Sequence, residues 1–302
     1  MKFIARKTEG GAVKGKISFY CKALKVSRQG FYDYLRNKDK PWKYEHLAQL
    51  INNILAEDEC NDTYGRGRMH AALKLKYPDE EIPSERTVYR VMESIGADHS
   101  KRRKPNGITK ADREARKFDD LLKRNFSAKK PCEKCVTDIT EIPAKDGKLY
   151  VSAIFDCFDV SVLGLAMADN MRAQLCVQTL KNACKSHREM CGAIIHSDRG
   201  SQYTSEEYRL AVANFKILQS MNSAGGRCHD NARCESMWAR MKDELFYLRG
   251  RKPQNYTMEE LKTFIWRYFL SYWNNRRICS SIGGVPPAVK RRRYYAELHA
   301  AA

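Results

Sequence analysis

The strongest constraint on the fold of this chain is a change of hydrophobic periodicity near residue 132. From there to about residue 250, short apolar runs of the β type give way to alternating strand and helix patterns. The predicted strands are Cys135–Ile142, Leu149–Phe155, Val162–Ala168, Ala193–Ile195 and Ile217–Met221, and the predicted helices span about 172–187, 205–214 and 231–248. Gly147, between the first two runs, predicts a hairpin turn. This order predicts an α/β domain over 131–250, with a mixed five-stranded sheet and flanking helices.

Short helices are predicted ahead of this domain. Residues 1–43 form a helical region, which could be a helix–turn–helix with Ser27 as an N-cap. Residues 44–98 predict a clearer DNA-binding helix–turn–helix, whose last helix begins after Ser84. Arg86 and Arg90 lie four residues apart on the polar face of that helix, as in a helix that reads a DNA groove. A three-helix bundle with a solvated basic face is the alternative.

Basic segments flank the predicted sheet domain on both sides. Residues 99–130 predict a basic linker that contacts phosphate through Arg102 and Arg103 and continues into a helix to about Phe126. Residues 251–302 predict a helical basic segment that begins with a Thr257–Glu260 capping box. An apolar stripe at helical spacing follows the box and is interpreted as core.

The distribution of charge supports a nucleic-acid partner. The chain has 302 residues and a formal net charge of +19, and its hydrophobic content of 43% excludes a wholly disordered protein. The net charge is +12 over residues 1–130, zero over 131–250 and +7 over 251–302. Basic flanks around a neutral block suggest that the flanks hold DNA, whereas solubility alone would not explain the neutral block. No apolar run is long enough to span a bilayer, no signal peptide is evident, and the scattered cysteines suggest reduced thiols in the cytosol.

Three acidic residues of the neutral block are predicted to converge. Asp138 lies within the first strand, Asp198 follows the fourth, and Glu235 lies one turn into the last helix. The first and fourth strands are expected to be neighbours at the centre of the sheet, where the helix can add Glu235. Converging carboxylates repel each other, and hard oxygen ligands suit Mg²⁺ or Mn²⁺. A pair of such ions could act on a phosphodiester.

Several motifs of the chain resemble those of a known family. VTDIT, IIHSDRGSQYTS, LQSM and HDNARCESMWARMKDEL are similar to the catalytic segments of insertion-sequence transposases of the IS-three group, within the retroviral-integrase-like superfamily. YGRGRMHAALK with RTVYRVME resembles the helix–turn–helix of that group, and YWNNRRICSSIGGVPPAV resembles its closing motif. The resemblance covers nearly the whole chain and implies a ribonuclease H-like core.

The resemblance also implies residue roles and partners. The catalytic, metal-binding triad of the family corresponds to Asp138, Asp198 and Glu235, and its basic position corresponds to Lys242. The implied reaction is Mg²⁺-dependent cleavage at the ends of the element, followed by attack of a 3′-hydroxyl on target DNA. It further implies a homo-oligomer on paired DNA ends and an upstream-frame partner protein, in the cytoplasm with the nucleoid.

Two positions depart from the family pattern. The 36 residues between Asp198 and Glu235 are one more than is usual, and Cys279 stands where the closing motif usually has histidine. A DNA-binding repressor with an inactive triad and a nuclease without strand transfer are therefore kept as alternatives. Arg199 and Gln202, in the loop after Asp198, could position DNA or stabilise the loop.

Other polar clusters have weaker chemical interpretations. A zinc site could use the cysteines and histidine of two short motifs, namely Cys132, Cys135, Cys184, His187 and Cys191. Buried or solvated thiols are the favoured interpretation, since a single CxxC is a weak signal. Asp156 and Asp159 could add a metal ligand, but strand-end and turn roles are favoured. Asp230 is interpreted as an N-cap and His196 as a packed residue of a central strand.

Overall fold

The computed structural model describes residues 1–40, 42–98, 120–123, 125–222 and 232–300. Two compact units make up the chain, Met1–Leu50 and Ile51–Ala302. The predicted phosphate contacts of Arg102 and Arg103, and the predicted N-cap Asp230, lie outside the described residues.

The first unit is helical, as its sequence pattern predicts. It contains α1 (Lys2–Lys7), α2 (Lys14–Ala23), α3 (Arg28–Asn37) and the start of α4 (Glu45–Glu57). Its core consists of four fully or almost fully buried side chains, Ile4, Ile17, Cys21 and Phe31. The Ser27 hydroxyl accepts a hydrogen bond from the Gly30 amide at 2.9 Å, so the predicted N-cap of α3 is confirmed.

The second unit begins with the predicted helix pair. Helix α5 (Arg66–Lys76) and helix α6 (Glu85–Ser94) pack together, and α6 buries Val88, Val91 and Met92. Ser84 occupies the N-cap position of α6, but its hydroxyl contacts the Thr87 hydroxyl instead of a backbone amide. Arg86 and Arg90 are exposed on α6, as the spacing predicts.

The sheet has the predicted five strands and mixed topology. The strands are β1 (Lys134–Ala144), β2 (Gly147–Asp156), β3 (Val162–Ala168), β4 (Ile194–Ser197) and β5 (Leu218–Met221), in the spatial order β3-β2-β1-β4-β5. The predicted hairpin pairs β1 with β2 in antiparallel orientation, and β2 also pairs antiparallel with β3. In contrast, β4 runs parallel to both β1 and β5. The first and fourth strands are therefore neighbours, and the ribonuclease H-like arrangement is confirmed.

Helices pack on the sheet and bury its side chains. They are α7 (Ala173–Ser186), the short α8 (Ser201–Thr204), α9 (Glu206–Asn214) and α10 (Ala232–Leu245). A side chain at Gly164 of β3 would lie 2.4 Å from the Thr179 carbonyl oxygen and 2.7 Å from Ala183 Cβ, so only glycine lets α7 approach this closely. Short α8 was not predicted, because its four residues form a single turn within a loop.

The last segment packs its apolar stripe into the core. Helix α11 (Met258–Trp266) begins with the predicted Thr257–Glu260 capping box and continues as a π-helical stretch, Arg267–Trp273. Six of the seven stripe residues are fully buried, namely Leu261, Ile265, Tyr268, Phe269, Tyr272 and Trp273, and Phe264 is half-buried. Helix α12 (Pro287–Ala300) carries the basic residues near the C-terminus. None of the helices in the described ranges is long and apolar enough to cross a bilayer.

The predicted helix running to about Phe126 is wrong in its described part. Residues 120–123 and 125–126 are not helical, and they include a bend and a turn. The Asp120 carboxylate accepts hydrogen bonds from the amides of Leu122 and Lys123, and the Leu121 amide donates to the Ser220 hydroxyl at 3.0 Å. These contacts replace helical hydrogen bonds, and a contact to β5 is invisible to a local pattern.

Candidate active site

The sheet register brings two of the predicted acidic residues side by side. Val136 of β1 pairs with His196 of β4, and the two strands are parallel. Asp138 lies two residues further along β1, and Asp198 directly follows the last residue of β4, so the two reach about the same level at adjacent positions. The pleat gives them the same face of the sheet.

Helix α10 brings the third acidic residue to this face. Its buried side is a stripe at i, i+3 and i+4 spacing, formed by Cys234, Met237, Trp238, Met241 and Leu245. Glu235 lies beside that stripe and is exposed. Burial raises the pKa of Asp138 to about 7, and the charges of Asp198 and, less strongly, Glu235 add to this increase. The charges of both other acidic residues thus act on the Asp138 carboxylate.

Trp238 fixes the orientation of the Asp138 carboxylate. The indole Nε1 donates a hydrogen bond to Asp138 Oδ2 at 3.2 Å. The ring is itself held edge-to-face between Phe155 and Phe269, with centroid separations of 5.4 and 5.7 Å. Trp238 is not among the site residues predicted from the sequence, although its position three residues after Glu235 places it near the same face of α10.

The Trp238 hydrogen bond predicts an effect on metal dependence. In Trp238→Phe the ring packing is kept but the donor is lost, so Asp138 is less well oriented toward a cation. We expect the Mg²⁺ concentration for half-maximal DNA cleavage to increase by roughly tenfold, with little change at saturating Mg²⁺. Trp266→Phe, at a half-exposed tryptophan of α11, is the matched control. Coincident Mg²⁺ titrations for Trp238→Phe and the wild type would contradict this role.

Two basic residues of α10 contact the strands beneath it. Lys242 donates to the Glu141 carbonyl oxygen of β1 at 3.2 Å. Burial lowers the pKa of Lys242, while the charges of Asp138 and Glu141 act in the opposite direction. Arg233 donates hydrogen bonds to the carbonyl oxygens of Phe126 and Cys157 at 2.9 and 2.8 Å. This residue is not among those predicted from the sequence. Arg233 thereby ties the start of α10 to the sheet, and Lys242 adds a positive charge beside Asp138.

The loop after β4 is held by its own side chains. Asp198 Oδ1 accepts a hydrogen bond from the Gly200 amide at 2.9 Å, which leaves Oδ2 for another partner. Arg199 Nε donates to the Asn222 carbonyl oxygen at 2.6 Å, and Gln202 Nε2 donates to the Met171 carbonyl oxygen at 3.0 Å. Both residues therefore stabilise the loop, which was one of the two interpretations of the sequence.

The donor set of the acidic group fits a divalent cation. Carboxylate oxygens are the hard ligands that Mg²⁺ and Mn²⁺ prefer. Burial is the main cause of the raised pKa of Asp138, and the charges of Asp198 and Glu235, which a cation would offset, add to it. In the described chain, oxygens of all three carboxylates do not lie within 4.8 Å of one another. Asp138, Asp198 and Glu235 are the residues that would hold a cation there.

A second cluster contains part of the weakly predicted zinc site. The ligand atoms of Cys132, His187 and Glu189 lie within 4.8 Å of one another. The Arg291 guanidinium reaches the same place, with Nη1 3.3 Å from His187 Nδ1, and it forms ion pairs of 2.6 and 2.7 Å with Asp156 and Asp159. Burial raises the pKa of the Cys132 thiol, which disfavours the thiolate that zinc requires. The predicted strand-end role of the two aspartates agrees with these ion pairs.

Comparison with known proteins identifies relatives along most of the chain. Two family models, both described as integrase core domain, match residues 128–227 and 217–287.

The probable transposase for insertion sequence element IS1353 of Shigella flexneri is 34% identical over 268 residues, which are 87% of this chain and 50% of that protein. In Escherichia coli (strain K12), the putative transposase InsK for IS150 is 29% identical, covering 91% of this chain and 93% of that protein. Transposase InsF for IS3A, from the same strain, is 26% identical, covering 90% and 92%. The chain thus spans half the length of the first relative and more than nine-tenths of the other two.

Proposed function

This chain belongs to the insertion-sequence transposases that carry an integrase core domain, and from that premise we propose that it cleaves and joins DNA at the ends of a mobile element. The proposal is supported by the parallel pairing of β1 with β4, which brings Asp138 and Asp198 near each other, and by the charges of Asp198 and Glu235 that act on Asp138. An intact acidic triad favours an enzyme over a repressor that only binds DNA.

The triad residues are proposed to be the catalytic and metal-binding groups. Asp138 is oriented by Trp238, Asp198 by the Gly200 amide, and Glu235 by its place on α10. Mg²⁺ or Mn²⁺, held as a pair by these carboxylates, would supply the charge that activates an attacking oxygen and stabilises the leaving oxygen of a phosphodiester. Because water and a sugar hydroxyl are equivalent nucleophiles in such a site, one set of residues serves both cleavage and strand transfer.

DNA is proposed to contact basic residues on three parts of the chain. Lys242 is positioned beside Asp138 to attract the phosphate of a DNA end. Arg86 and Arg90 are exposed on α6 and suited to a groove of duplex DNA. Arg199 and Gln202 would act mainly by shaping the loop after β4, and Arg102 and Arg103 complete the proposed basic set.

The assembly is proposed to match that of its family. Insertion of a whole element joins both of its ends to the target, which favours a homo-oligomer on paired ends. An upstream-frame protein, separate or fused, would supply recognition of the terminal repeats. Such an assembly would work in the cytoplasm on nucleoid DNA.

The proposal is tested with labelled DNA containing the terminal repeats that border the gene. The protein is incubated with this DNA and target plasmid in Mg²⁺, and products are separated under denaturing conditions. We expect nicked ends and end–target joined products, both absent with EDTA. Cleavage without joining would instead support a nuclease, and binding without cleavage would support a repressor.

A further inference from the structure

A basic cleft lies at the far end of α10, outside the acidic site. Its volume is about 280 Å³. Arg68 of α5, Arg240 of α10 and Arg277, Ser280 and Ser281 of the closing segment line it. We refer to this as the Arg240 cleft. All five residues belong to the unit Ile51–Ala302.

The floor of the Arg240 cleft is a saturated ion-pair network. Glu244 is 2% exposed and accepts from Arg277 Nη2 at 2.6 Å, Arg277 Nε at 2.8 Å and Arg68 Nη1 at 2.7 Å. The Tyr268 hydroxyl donates a fourth hydrogen bond at 2.9 Å. One carboxylate therefore pairs with two guanidinium groups, and its oxygens have no capacity to accept a further hydrogen bond.

Arg240 adds a third guanidinium at the mouth of the cleft. It is exposed, and within the described part of the chain it has no hydrogen-bond or ion-pair partner. Burial lowers its pKa first, and the nearby charge of Arg277 lowers it further. Asp243 also lines the cleft, so three guanidinium groups face two carboxylates and one positive charge is in excess.

The mouth of the cleft has donors suited to a tetrahedral oxyanion. Arg240 offers a guanidinium fork, and the exposed Ser280 and Ser281, which also line the cleft, offer hydroxyl groups. Arg240 follows Glu235 by five residues, which is about 140° around the helix axis. An anion in this cleft is therefore not the phosphate that faces the triad.

We propose that the Arg240 cleft binds a backbone phosphate of DNA at a distance from the reacting phosphodiester. The ligand chemistry is that of a phosphate, and its assignment to DNA rests on the proposed function. Arg68 joins the cleft to α5, which packs against the exposed arginine helix α6, so the two basic surfaces belong to neighbouring elements. The cleft would then fix DNA along α10 without reading its sequence.

The test measures binding of fluorescent duplex DNA by anisotropy, without metal, over a series of salt concentrations. Arg240→Gln is expected to weaken binding by roughly tenfold for any sequence and to reduce the salt slope by about one. The double variant Ser280→Ala/Ser281→Ala is expected to weaken binding by a smaller factor with an unchanged slope, since no charge is removed. Lys181→Gln, on the exposed face of α7, controls for loss of one positive charge elsewhere.

The outcomes separate this site from the proposed function. Wild-type DNA affinity and salt slope in Arg240→Gln, with no stabilisation of the wild type by inorganic phosphate, would overturn the site. Stabilisation of the wild type but not Arg240→Gln by inorganic phosphate, with equal DNA binding, would overturn its assignment to DNA. Cleavage and joining need not be measured here, so their absence in the wild type would contradict only the proposed function.

Discussion

Replacing Asp198 by asparagine is expected to abolish both cleavage and strand transfer while leaving DNA binding unchanged. The side-chain carbonyl oxygen of asparagine can still accept the hydrogen bond from the Gly200 backbone amide, so the loop after β4 keeps its conformation. The negative charge that a divalent cation requires is lost, which is expected to reduce both rates by about a thousandfold or more. Initial rates of both steps, with DNA affinity from anisotropy, measure the effect.

The matched control is Asp169→Asn, at an exposed aspartate just after β3. It should retain both activities. The Asp198 variant should also melt no lower than the wild type without metal, because Asp198 repels Asp138. Joining at a wild-type rate by Asp198→Asn would exclude the triad as the reaction centre.

Replacing Glu244 by glutamine is expected to cause the largest loss of stability. Arg277 is 3% exposed and donates two hydrogen bonds to Glu244. The neutral side-chain amide of glutamine would therefore leave this buried guanidinium without its counter-charge. Breaking one partner of a buried ion pair costs about 3–5 kcal/mol. For a unit of this size we expect the melting temperature to decrease by roughly 6–20 °C.

The pH dependence provides an independent check on Glu244. The arginine charges outweigh burial and hold the pKa of Glu244 at about 2, below its ordinary value of 4.5. Its stabilising contribution is therefore complete above pH 4.5 and decreases as the pH falls toward 2. The difference in unfolding free energy between wild type and Glu244→Gln should narrow over this range.

An exposed acidic residue serves as the control for Glu244. Glu259→Gln, in an exposed pair with Lys262, should change the free energy of unfolding by less than about 0.5 kcal/mol. Equal melting temperatures for the Glu244 and Glu259 variants would show that the buried network does not stabilise the fold.

Local patterns were sufficient for the sheet and for the position of its acidic residues. The β-type runs and Gly147 predicted the strands and hairpin, and neighbouring first and fourth strands implied that Asp138 and Asp198 would lie together. The capping box at Thr257 and the buried stripe after it were also predictable, because both depend on spacing within one helix.

Contacts between distant segments were not predictable from the sequence. The Trp238–Asp138 hydrogen bond joins residues 100 positions apart, and the Arg68–Glu244 pair joins residues 176 apart. The segment near Leu121 has a helical composition, but its amide hydrogen-bonds to Ser220 of β5. Cys279 departs from the family pattern, and the structure places its sulfur 3.2 Å from Arg277 Nη1, within the buried network.

The most direct test of the central claim is joining of a pre-cleaved element end to a target plasmid. This substrate supplies the 3′-hydroxyl, so the measurement isolates strand transfer by the Asp138–Asp198–Glu235 group. The account predicts joined product in Mg²⁺ with wild-type protein, and none with EDTA or with Asp198→Asn. Joining that persists with EDTA, or an active wild type matched by Asp198→Asn, would contradict it.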